Sequence, residues 1–249
     1  MRHIMELMKI LTLFMALSFT NLLLAETLDM QQYMRDTEAL VKQGEYEKAL
    51  ERTLWFHENA LKHEPGMFGV RLSFAMGDWM ELAEKYPPAM KAMHKVRDEK
   101  TAKLKSGKGN FNLFMDVNAF NRTLKEEDKT IALFRLLDGK QPDLAKKCWT
   151  VAKQIVIKNK DYDLADKYLG NLLTEFDEIK ERYEMMVSRS DKNRPGYSHL
   201  KNLNENRFVE ETLLLIETAQ ALKESDTAKE IKQRALKVLD DRRLRKALP

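Results

Sequence analysis

The sequence predicts an all-α protein, and three observations carry that expectation. Glycine is scarce, 9 of 249 residues against a usual share of about 7%, whereas sheets and tight hairpins consume it. Apolar residues recur at steps of three and four instead of alternating. Ala165, Leu169, Leu172, Phe176, Ile179, Tyr183 and Met186 form one such stripe. A short phrase also returns along the chain: Lys42-Gln43-Gly44-Glu45-Tyr46-Glu47-Lys48-Ala49-Leu50 is echoed by Lys158-Asn159-Lys160-Asp161-Tyr162-Asp163-Leu164-Ala165.

Taken in order, residues 1–25 read as a secretory signal peptide. Arg2 and Lys9 supply positive charge, Ile10 to Phe19 and Leu22 to Leu24 an apolar stretch, and Ala25 a small residue before the cut. Met8 is an alternative start to Met1. The apolar run is broken by Thr12, Ser18, Thr20 and Asn21, short of the roughly 20 apolar residues of a membrane anchor. Cleavage is the expectation and an uncleaved anchor the alternative. The mature chain, without Arg2, Lys9 and Glu6, carries 41 basic and 38 acidic residues.

From Glu26 onward, Gly44, Pro65-Gly66, Pro87-Pro88, Ser106 to Gly109, Pro142 and Arg194-Pro195-Gly196 punctuate the pattern. They predict helices over 29–43, 45–63, 67–76, 78–86, 88–105, 111–124, 128–140, 143–159, 161–189, 198–224 and 226–246. Gly170 falls inside the ninth and should cost about 1 kcal/mol relative to Ala. The expected organisation is a single helical domain over 26–249, with a possible subdivision near 106–110 and a long hairpin from 161 to 224.

A looser copy of the recurring phrase is Lys125 to Leu133. Ala132 and Ala165 then stand 33 apart, and Ala49 and Ala83 stand 34 apart, a period typical of a helix-turn-helix repeat. On these residues the chain resembles the tetratricopeptide family. Gly44, Tyr46 and Ala49 match its small, aromatic and small positions, while Ala60 and Pro65 match its later small residue and closing proline. It departs in spacing: Ala49 and Ala60 are eleven apart where the family has seven. The resemblance implies a right-handed stack of antiparallel helical hairpins, an α-solenoid whose concave face binds partners. Ala49, Ala132 and Ala165 would let helices approach closely. The stretch from Trp55 to Pro87 is also similar to uncharacterised exported bacterial proteins.

Formal charge is +4, with the signs interleaved. That argues against a nucleic-acid partner, which calls for a gathered basic stripe. Arg242-Arg243-Leu244-Arg245-Lys246 reads as a helix end complementing its dipole. The lone Cys148 cannot form an internal disulfide and reads as a small buried hydrophobe. His57 and His63 are six apart, whereas a zinc-protease helix needs four. No metal, cofactor or catalytic set is expected. Ser106-Gly107-Lys108-Gly109-Asn110 lacks the phosphate-loop pattern, and Asn121-Arg122-Thr123 fits a weak glycosylation motif.

The remaining candidates are Trp55, His57, Arg71, Asp78, Trp79 and Tyr86. Aromatics and Arg are favoured at binding hot spots, although aromatics at helical spacing mostly serve the core and Asp78 also suits a helix N-cap. The expected function is an exported, periplasmic or secreted scaffold for another protein or peptide, not inserted in the membrane after cleavage. The alternative is a small-molecule or glycan binder using the aromatic patch.

Overall fold

The computed structural model describes residues 28–190 and 195–247; the expected signal peptide lies outside them. Among the described residues the chain forms thirteen α-helices and one 3-10 turn, with no strand. They divide into two compact units at 93/94. That boundary lies inside a helix and not at the 106–110 turn.

Residues 28–93 hold α1 (Met30–Lys42), α2 (Tyr46–His63), the 3-10 turn Pro65–Met67, α3 (Phe68–Arg71), α4 (Phe74–Lys85) and the start of α5 (Pro87–Lys105). Asp29 caps α1, its carboxylate accepting from the Gln32 amide at 2.9 Å. α2 ends at Glu64 and α4 at Tyr86, both extended, because the residue before a proline is forced out of helical geometry. α2 packs on α1 and α4, burying Met30, Phe56, Ala60 and Met67 together. The expected break at Gly77 is not there. α4 runs through it from Phe74, which places Asp78 in the second turn of a helix and not at its N-cap.

Residues 94–247 hold the rest of α5, then α6 (Phe111–Thr123), α7 (Glu127–Lys140), α8 (Pro142–Lys158), α9 (Tyr162–Leu169), α10 (Leu172–Ser188), α11 (Tyr197–Ala221), α12 (Ser225–Val238) and α13 (Arg242–Lys246). One continuous apolar core reaches from Leu104 through Phe134, Cys148, Phe176 and Phe208 to Leu244. Two expected helices are divided. Gly170, at φ 67° and ψ −131°, separates α9 from α10, so no unbroken helix spans 161–189. α12 stops at Val238, with an extended Leu239 beyond it.

Five helices end in the same turn. Gly44, Gly107, Lys125, Lys160 and Lys223 all take positive φ, between 58° and 80°. In each, the next residue's amide reaches back to the carbonyl five residues earlier: Glu45 to Leu40, Lys108 to Lys103, Glu126 to Asn121, Asp161 to Val156, Glu224 to Ala219. Five residues after four of them a small side chain is fully buried: Ala49, Thr130, Ala165 and Ala228; after Gly107 the residue is Asn112, which is exposed. Ala132 is exposed. The buried small residue after Lys125 is therefore Thr130, two residues before the Ala132 that the sequence aligned with Ala165.

Candidate functional site

The structure brings three of the six candidates together. His57 on α2, Arg71 at the end of α3 and Trp79 on α4 are all buried. The Arg71 guanidinium donates to the His57 carbonyl at 3.3 Å and lies 3.2 Å from its Nε2. The His57 ring meets Trp79 edge-on at 5.7 Å, and Trp79 Nε1 donates to the Ala89 carbonyl at 3.1 Å. These contacts tie α2, α3, α4 and the start of α5 to one another. They offer little surface to a ligand.

The other three stand apart. Trp55 is half-buried, stacked on Tyr33 at 4.9 Å and beside His63 at 5.4 Å. The Arg52 guanidinium lies over the Tyr33 ring at 3.8 Å. Tyr86 stacks on Tyr46 at 6.0 Å. Asp78 lines a narrow crevice of about 40 Å³ with Phe56, Glu38 and Glu81. Burial against those walls, then the nearby Glu38 and Glu81 charges, raises its pKa above the usual carboxylate range. With two glutamates already there, the crevice is a poor place for an anion.

Sequence reasoning missed a buried polar cluster in residues 94–247. Arg97 on α5 donates to Asn121 Oδ1 at 3.1 Å, and Asn121 Nδ2 donates to Thr130 Oγ1 at 3.1 Å. Arg97 also pairs with Glu126 and with Asp98, and its second amino group lies 3.3 Å from His94 Nδ1. Lys129 and then Arg97 hold the Glu126 pKa down to about 2. Asn121 is thus a buried link between helices and not an accessible glycosylation acceptor. Nothing periodic in Lys95-Val96-Arg97-Asp98-Glu99-Lys100 marks the two cations that turn inward, Arg97 and, toward the buried Asp116 at 2.5 Å, Lys100.

Larger concavities lie around α10. A cleft of about 180 Å³ opens between α8, α10 and α11, with Leu169 of α9, and its apolar lining includes Ile157, Ile179, Leu214 and Leu215. Lys153 reaches Glu175 at 2.5 Å and Glu178 at 3.5 Å. Glu211 takes Arg182 at 2.8 Å and Arg207 at 3.0 Å. A shallower groove of about 700 Å³ runs between α10 and α12 over Phe176, Tyr183, Val187 and Val238. Toward the α10 C-terminus and early α11, Met185, Met186, Val187, Leu200 and Leu203 are exposed.

Cys148 is fully buried, and burial pushes its thiol up to about 12; it is no nucleophile in this state. Among the described residues no three His, Cys, Asp or Glu side chains gather as a metal site. No described helix is long and apolar enough to cross a membrane. Compared with protein families, with curated proteins and with solved structures, the chain shows no match.

Proposed function

We propose that this chain is an exported helical-repeat protein whose work is to bind another protein or a peptide, with no catalytic step of its own. The observation that carries the reading is the apolar end of the α10–α11 pair. Met186 lines one small cleft with Asn204 and Phe208, and Leu200 and Leu203 lie exposed within a turn of Asn204. Large apolar side chains exposed in one neighbourhood favour partner binding, and flexible methionines suit a surface that must fit another chain. The shared turn at Gly44, Lys125, Lys160 and Lys223 supports the repeat part of the proposal. The export part rests on the composition of residues 1–25.

The experiment is capture from an extracytoplasmic extract on residues 26–249, with Met186→Glu, Leu203→Glu as the control. Both side chains are more than two-fifths exposed, so the fold should survive. A protein retained by the wild type and released by the variant supports the reading; equal capture by both, or none by either, counts against it. The aromatic patch suggested small-ligand binding as an alternative, but His57 and Trp79 lie inside the packing. What favours a small ligand is the cleft between α8, α10 and α11.

A further inference from the structure

We infer that this cleft binds a small zwitterion, an α-amino acid with an apolar side chain. The inference is independent of the partner reading. It rests on charge balance, size and spare hydrogen-bonding capacity.

The cleft presents three cations, Lys153, Arg182 and Arg207, and three carboxylates, Glu175, Glu178 and Glu211. A lone cation or anion would upset that balance, whereas a molecule carrying both charges keeps it. The net charge is also unevenly divided, one negative around Lys153 and one positive around Glu211. Lys153 gathers Glu175 and Glu178, and one helical turn further along α10, Arg182 meets Arg207 across Glu211. Positions four apart on a helix are separated by about 6 Å along its axis, a span that Glu178 and Arg182 close with their own side chains around an ammonium and its adjacent carboxylate.

The native ion pairs leave room for such a guest. Glu178 has only the 3.5 Å contact to Lys153 and its side chain is 57% exposed. A guanidinium offers five N–H donors, yet Arg182 and Arg207 each give a single bond, both to Glu211. A ligand carboxylate can therefore take the unused Arg donors, and its ammonium can take Glu178, while the Lys153–Glu175 and Arg–Glu211 pairs stay intact. The apolar lining around Ile157, Ile179 and Leu214 then receives the side chain. The volume agrees: an apolar cavity of about 150 Å³ accepts benzene, so 180 Å³ suits the size of leucine, methionine or phenylalanine.

The test is calorimetric titration of the full chain with L-leucine, L-methionine and L-phenylalanine. L-leucinamide, which lacks the carboxylate, and 4-methylpentanoate, which lacks the ammonium, serve as probes. The expected result is saturable one-to-one binding of at least one amino acid, weakened by about tenfold or more when either charge is removed. Glu178→Gln and Arg207→Gln should each weaken it similarly. Both side chains are more than half exposed, and an unchanged circular dichroism spectrum will confirm folding. No saturable heat with any of the three at millimolar concentration overturns the inference. So does an analogue that binds as well as leucine, or binding that neither variant disturbs.

Discussion

Arg97 is almost wholly buried, and a guanidinium in that position must find partners for its charge and its donors. It takes the amide of Asn121 and the carboxylates of Asp98 and Glu126, which fastens α5 to the end of α6 and the start of α7. The cost of burying the cation is offset by these partners, and Glu126, the less exposed of the two carboxylates, contributes only while it is ionised. Glu126 titrates near 2 in the folded chain against an ordinary 4.5. Its folded value is the lower one, so its stabilisation is complete above pH 4.5 and is lost as the pH falls from there toward 2. Glu126→Gln should cost about 1–3 kcal/mol at neutral pH. Its thermal midpoint should then converge on that of the wild type as both are acidified through this window. Midpoints that stay parallel down to pH 2 would show that the Glu126 charge contributes nothing. Arg71 is bound by the same physics, so its replacement would damage packing in residues 28–93.

At the scale of the element, local signals were legible and registers were less so. Proline stops helices through the backbone of its own neighbour, so the ends at Glu64, Tyr86 and Gln141 could be read directly. Gly170 could not, because Leu169 and Leu172 flank the break three apart and both are buried; the stripe keeps its interval although the helix does not. Read inside a helix, Gly170→Ala would stabilise. At φ 67° and ψ −131°, a region nearly reserved for glycine, it should instead destabilise by about 1–3 kcal/mol in urea unfolding. A gain on substitution would mean that α9 and α10 join. The small residue five places beyond four of the left-handed turns gives a second test. Ala165 is fully buried there, so Ala165→Leu should cost about 1–3 kcal/mol by overpacking, whereas Ala132→Leu, at an exposed position, should change little. Equal effects at the two sites would restore the alignment that paired Ala132 with Ala165.

Across the molecule, the sequence showed that helices form because periodicity is a property of one segment. It could not show which charged faces close around a cleft, because Lys153, Glu178, Arg182 and Arg207 come from three helices and look like ordinary solvated residues in each. The aromatic residues were ambiguous for a related reason, since helical spacing suits a core as well as a surface; Trp79 is in the core. Cys148 offers a way to test the packing of residues 94–247 as a whole. It is the only cysteine, it sits mid-way along α8, and the core around it runs unbroken from Leu104 to Leu244. Burial holds its thiol near 12, so reaction with a thiol reagent requires that core to open. In mildly alkaline buffer, labelling of the native chain should be at least about a thousandfold slower than labelling of the unfolded chain, given the usual 5–15 kcal/mol of domain stability. As urea is added to a chain in which Trp55 and Trp79 are replaced by Phe, so that Trp149 alone reports, labelling should rise together with its fluorescence change, because Cys148 and Trp149 belong to one cooperative core. Labelling well ahead of the Trp149 signal would show that α8 detaches alone, and the continuous core from α5 to α13 would then have to be divided.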